Sequence, residues 1–285
     1  MKTTVKVIIA GAVIICLGMI ILVVTGCATG WNFDYDSNWE TKTYECDVPI
    51  SKVDLEFSAG TLKVEFYDGD VIKVEYPENK QITTNFSVTG QTLNMATTQL
   101  RWHINFWGLN KIPTTKMYIP RNYQLGWKIK INAGNVSFAS GVYNDVDVQI
   151  NAGALSFGYC TFGDVNVQMN AGSTNMDGVN CSKFDVEMNA GSCNVSQIVT
   201  DQFNADINAG TLNAKKLQCD DITVILSAGS ANLKIAGKKS DYTITTDVKA
   251  GSCNVSNKSG GSKRLGVFVS AGSVTVDFYD SMNIE

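Results

Sequence analysis

The phrases V-D-V-Q-I-N-A-G at 146–153, V-N-V-Q-M-N-A-G at 165–172, F-D-V-E-M-N-A-G at 184–191 and F-N-A-D-I-N-A-G at 203–210 decide the fold of this chain. Their closing glycines, with Gly134 before them and Gly229 after, stand 19 residues apart five times over. Weaker copies end at Gly60, Gly251 and Gly272. A fixed period near 20 residues is the signature of a solenoid, in which no coil can bury its own apolar face and each must stack on its neighbours.

The columns read directly. Seven residues before each glycine stand Trp127, Val146, Val165, Phe184, Phe203 and Ile222. Five before come Ile129, Val148, Val167, Val186, Ala205 and Val224, then at three before Ile131, Ile150, Met169, Met188, Ile207 and Leu226, and an alanine directly precedes the glycine. A period of two is a strand with one face inward. Past the glycine the alternation restarts in the opposite phase, as in Val136 and Phe138 or Leu155 and Phe157, so the glycine marks a corner. A shorter apolar site follows at Cys160, Val179, Ile198 and Leu217. The expected architecture is all-β: a single-stranded parallel β-solenoid, or β-helix, of about 19 residues per coil, preceded by one N-terminal transmembrane helix. A propeller needs about 40 residues per blade, and a leucine-rich repeat needs a Leu and Asn frame that is missing.

The N-terminus carries Lys2 and Lys6, then no charge from Val7 to Val24. Eighteen apolar residues, extended by uncharged ones, span about 27–30 Å as a helix. The flanking lysines place the N-terminus in the cytoplasm and the rest outside, so residues 1–27 are expected to be a single-pass anchor in the cell membrane. An alternative ends the same stretch: Val24-Thr25-Gly26-Cys27 resembles a lipoprotein cleavage box, after which Cys27 would be lipidated. Residues 28–45, with Trp31, Phe33, Tyr35 and Trp39, suit a stalk at the membrane interface.

Residues 46–285 form the expected extracytoplasmic domain: irregular coils and a cap over 46–126, regular coils over 127–237, looser coils over 238–285. Val53, Leu55, Phe57 and Gly60 already fall on the later columns, whereas two further strand pairs, around Val71–Tyr76 and Phe86–Met95, look like irregular coils and Met117–Pro120 like another strand. A cap is needed to shield the open strand edge. Within it, Trp102, the only histidine His103, Phe106 and Trp107 form either a plug over the first coil or, if exposed, a binding tip. The last coil, from Leu265 to Val276, is expected to end the stack with an open edge.

The function classes narrow from there. The chain holds 23 basic and 27 acidic residues; Lys2 and Lys6 belong to the anchor, which leaves 21 against 27 outside, or −6, and no basic stripe for nucleic acid. Cysteines two or three coils apart lie about 10 Å or more from each other, too far for a disulfide, so they read as small apolar fillers; the pair Cys160 and Cys181 stays open. One histidine supports no hydrolase triad, no spacing suits a metal, and no cofactor is expected. The columns Asn132–Asn208 and Asn175–Asn232 predict side-chain amide ladders or a flat polar face for glycans or proteins.

The segments "GWNFDYDS" at 30–37, "KTYECDVPISKVDLEFSAGTLKVEF" at 42–66, "MYIPRNY" at 117–123 and the serial coils resemble the bacterial putative-adhesin domain family of unknown function, common in Gram-positive envelopes. The resemblance spans about Glu45 to Asp280 and rests on apolar spacing. It implies surface attachment and brings no catalytic residues. The expected function is cell-surface adhesion, binding or envelope scaffolding, with an envelope protein or glycan as partner. The alternative is a polysaccharide-active enzyme, for which Asp147, Asp185, Glu187 and Asp206 are the outward carboxylates.

Overall fold

The computed structural model describes residues 38–80, 82–99 and 112–279. The expected membrane segment, Cys27 and the quartet Trp102, His103, Phe106 and Trp107 lie outside the described residues. Among the described residues, no helix is long and apolar enough to cross a membrane.

Every regular coil sits in parallel register nineteen residues from the next. Val146, Val148 and Ile150 pair with Val165, Val167 and Met169 on one side and with Trp127, Ile129 and Ile131 on the other. The same register continues through Phe184, Val186 and Met188 to Phe203, Ala205 and Ile207. All of these side chains are buried. The second run stacks likewise, Val136 on Leu155 and Phe138 on Phe157, and so does the third, Cys160 on Val179 on Ile198. Alternation in the sequence thus becomes one continuous apolar interior, because a parallel ladder keeps equivalent residues on the same face of successive strands. The alanines before the glycines depart from the expected inward column: Ala152, Ala171 and Ala190 are exposed, since the chain is already turning there.

The corner explains the glycines. Gly172 has φ +136°, and a Cβ on it would lie less than 3.0 Å from the carbonyl oxygen of Gly153; Gly153, Gly191, Gly210 and Gly229 each meet the preceding glycine in the same way. Only glycine combines that φ with so close a backbone approach.

Both ends of the stack differ from the expected order. At the C-terminal end, Asp221–Ala236 pairs with Lys263–Tyr279, which in turn pairs with Tyr242–Cys253. The chain skips a layer after the coil ending in Ala236, builds the outermost layer, and returns to fill the gap. The glycine column repeats this order, Gly272 on Gly229 and Gly251 on Gly272. The terminal layer is therefore Tyr242–Cys253 and not the last coil in sequence. Its outer edge is partly covered by the loop that follows: Ile244 and Lys258 exchange backbone hydrogen bonds of 2.7 and 2.9 Å.

The N-terminal end is built the same way. Lys52–Phe57 lies between Gly126–Ile131 and Thr92–Gln99, and Thr61–Tyr67 lies between Gly134–Phe138 and Thr115–Pro120. The cap itself is antiparallel where irregular coils were expected. Ile82–Thr89 and Thr92–Gln99 form a hairpin turning at Gly90, φ +60°, and Ile72–Glu78 runs antiparallel to both Thr115–Pro120 and Glu40–Cys46. Among the described residues the first strand begins at Glu40, inside the segment read as stalk. A tight turn can join antiparallel neighbours, and an antiparallel layer tolerates one wet face, which suits a lid on a parallel stack.

A candidate binding surface lined by asparagine ladders

The outward residues of the coils form straight rows. Asn208 donates its side-chain amide to Asn189 at 2.7 Å, and Asn189, Asn170 and Asn151 each donate to the asparagine nineteen residues earlier at 2.8 Å, ending on Asn132. A second row on the next face runs from Asn232 to Asn213 to Asn194 to Asn175, at 2.9, 2.8 and 3.2 Å. These are the predicted amide ladders. All the amides point the same way, N–H toward the N-terminal end, so their dipoles align along the axis. The first row ends at Glu56, whose carboxylate accepts from Lys130 at 2.9 Å and is also bonded to Asn132. A negative group at the donor end of aligned dipoles is the favourable placement, as at a helix N-terminus.

The Lys130 hydrogen bond, with a smaller contribution from Asn132, holds the Glu56 carboxyl below its ordinary value of 4.5. A depressed folded value means the stabilisation is complete above pH 4.5 and lost as pH falls through the depressed value. The stability gap between the wild type and Glu56→Gln should accordingly narrow in acid, in urea titrations at pH 7 and pH 3. A gap that widens in acid contradicts this role.

The four outward carboxylates are separate in their bonding. Asp147 accepts from Asn166 at 3.0 Å; Asp185 accepts from Asn204 at 2.7 Å and pairs with Lys183 at 2.6 Å. Glu187 and Asp206 are register partners on adjacent strands. Asp147 and Asp185 are thus each engaged by the asparagine nineteen residues later, and only Glu187 and Asp206 of the four stand opposite each other. Among the described residues no group of three His, Cys, Asp or Glu side chains could hold a metal.

The six described cysteines are free thiols, Cys160 and Cys181 included. Burial pushes the Cys160, Cys181 and Cys193 thiols up to about 11 and Cys219 to about 12. Since the thiolate is the nucleophile, these four are inert fillers. Iodoacetamide at pH 8 should label Cys253, which is only half-buried, at least about 100-fold faster than Cys193, read by peptide mass mapping of the native chain. Equal labelling would mean that the coils open readily.

The outward rows border shallow depressions. One of about 560 Å³ lies on the second ladder, between Asn175, Asn194, Asn213 and Asn232 and a lip carrying Asp177, Lys215 and Lys234. Another, about 330 Å³, lies at the third corner over Cys181, Thr200 and Cys219, and a third of about 110 Å³ follows the first ladder beside Gln168 and Glu187. The groove beside Lys215 and Lys234 was missed in the sequence reading, where the asparagine column stood without its charged lip.

The family model named Toastrack DUF4097 matches residues 50–283. The chain belongs to that family. Among solved structures, this Toastrack chain is similar to a putative adhesin from Bacteroides fragilis, 13% identical over 83% of this chain and 97% of that one, with a TM-score of 0.51. A putative adhesin from Parabacteroides distasonis is 11% identical over 84% of this chain and 97% of its own, with a TM-score of 0.46. At this identity the likeness to the Bacteroides fragilis structure shows a shared all-β fold and no more. No curated protein matches the Toastrack chain in sequence. The two structural neighbours carry adhesin names and no enzyme name.

Proposed function

We propose that the chain is a membrane-tethered, extracytoplasmic β-solenoid that acts by binding at the bacterial envelope, as an adhesin or a scaffold. The observation that carries this reading is the pair of one-directional asparagine ladders on two outward faces. Each internal rung uses one amide N–H and one carbonyl lone pair within its row and keeps a second donor and a second acceptor for a ligand. Held on a rigid parallel stack, these groups repeat about every 4.8 Å, a surface suited to a polymer or to an extended partner. The adhesin names of the structural neighbours agree with it, as does the charge-free run Val7–Val24 behind Lys2 and Lys6, which would tether the domain outside.

The test is expression of the full-length chain in a Gram-positive host. Protease added to intact cells should degrade the solenoid, and isolated envelopes should retain the wild-type chain more strongly than an Asn151→Ala, Asn170→Ala, Asn189→Ala variant that still folds. Protection until the cells are lysed would overturn the location, and release of soluble sugars from envelope polysaccharide would replace binding by the enzymatic alternative.

A further inference from the structure

The groove on the second ladder brings two lysines together on one lip. Lys215 and Lys234 follow Ala214 and Leu233, which are register partners on adjacent strands, so both ammonium groups rise from one lip. Both lysines are exposed, and among the described residues neither has a carboxylate within ion-pair distance. Lys128, Lys130, Lys183 and Lys263 are paired, whereas Asp277, the strand partner of Lys234, and Asp177 on the same lip lie beyond ion-pair distance of both lysines. The register breaks between Ala214 and Leu217, and such an irregularity re-aims the side chains that follow it. Opposite the lip, the ladder ends with Asn232, whose strand neighbour is Thr275 and not another asparagine, so its carbonyl receives no amide from the next layer.

From these features we infer that the groove bounded by Asn194, Asn213, Asn232, Lys215 and Lys234 binds a linear anionic glycan. The inference rests on the envelope-binding reading and gives it a site and a ligand class. Sugar hydroxyls both donate and accept, which matches the free N–H and lone pair of each rung. The anionic group, a carboxylate or a phosphate, sits against the two unpaired ammonium groups. A lysine serves either as a point charge, without the fixed fork an arginine would impose.

The experiment measures binding of the full-length chain in detergent to hyaluronan, which supplies carboxylates, to poly(glycerol phosphate), which supplies phosphates, and to neutral dextran. Saturable binding to one of the two anionic polymers, weakened at least tenfold in Lys215→Gln/Lys234→Gln and unchanged in Lys249→Gln on the first face, supports the site, and the polymer that binds identifies the anion. Failure of both anionic polymers to bind, equal binding of dextran, or indifference to the double substitution overturns it. Those failures leave envelope retention of the wild-type chain intact, whereas loss of that retention would remove the broader reading as well.

Discussion

Alanine at Gly172 is expected to destabilise the solenoid by about 3–5 kcal/mol, combining a positive-φ penalty with steric overpacking. The backbone there has φ +136°, and the new Cβ would meet the Gly153 carbonyl rather than a side chain that could swing away. Relief requires the two coils to separate, which weakens the parallel hydrogen bonds that hold them, such as Ala171 N to Asn151 O at 3.1 Å. Thermal unfolding followed by circular dichroism should show a fall in Tm of roughly 10 °C for a domain of this length. Gly90→Ala is the matched control: it also changes a positive φ, +60°, but nothing lies within 4 Å of the added carbon, so the loss should stay near 1 kcal/mol. Equal losses at the two positions would mean that backbone conformation alone, and not the stacked contact, makes the corner glycines necessary.

Truncating Phe184 to alanine should lower stability by a similar amount, about 3–5 kcal/mol. Phe184 is fully buried and stacks on Phe203 with ring centroids 5.6 Å apart and planes 15° from parallel. Strands of a stack share one backbone spacing, so the layers on either side cannot close over the gap independently, and the missing ring leaves a cavity of nearly its full size. Phe203→Ala in the same background should cost less than it does alone, because the partner ring is already gone. Urea denaturation of the two single variants and the double variant measures this coupling; strict additivity would show that the rings do not act as a pair.

Most of the stack was legible because its chemistry is periodic. Val148 and Val167 had to be neighbours once nineteen residues separated equal columns, and Asn151 and Asn170 had to meet for the same reason. The order of the end layers was hidden by that same periodicity: Leu265, Val267 and Val269 carry the pattern of any coil, so nothing in them distinguishes a seat on Ile222, Val224 and Leu226 from one on Tyr242–Cys253. Only the insertions around Lys239 and Lys258 mark the detour. The strand pair around Phe86–Met95 was legible, but it was assigned to an irregular coil although Thr89-Gly90-Gln91 is a tight-turn signal for an antiparallel hairpin. In the candidate site the asparagines were visible as a column, whereas the unpaired lysines were not, since pairing depends on which charges the corners bring together.

The interleaved ends also bear on how such a molecule can change length over evolutionary time. A coil added at either chain terminus would find its neighbouring layer already occupied on both sides, by Tyr242–Cys253 at one end and by Thr92–Gln99 at the other. Duplication or loss of whole units is therefore confined to the interior, between Gly134 and Gly229, where one nineteen-residue segment can enter without disturbing either closure. Relatives of different height should then vary in the number of middle rungs while keeping both locked ends, and with each added rung the amide rows, and any polymer they hold, would lengthen by one step.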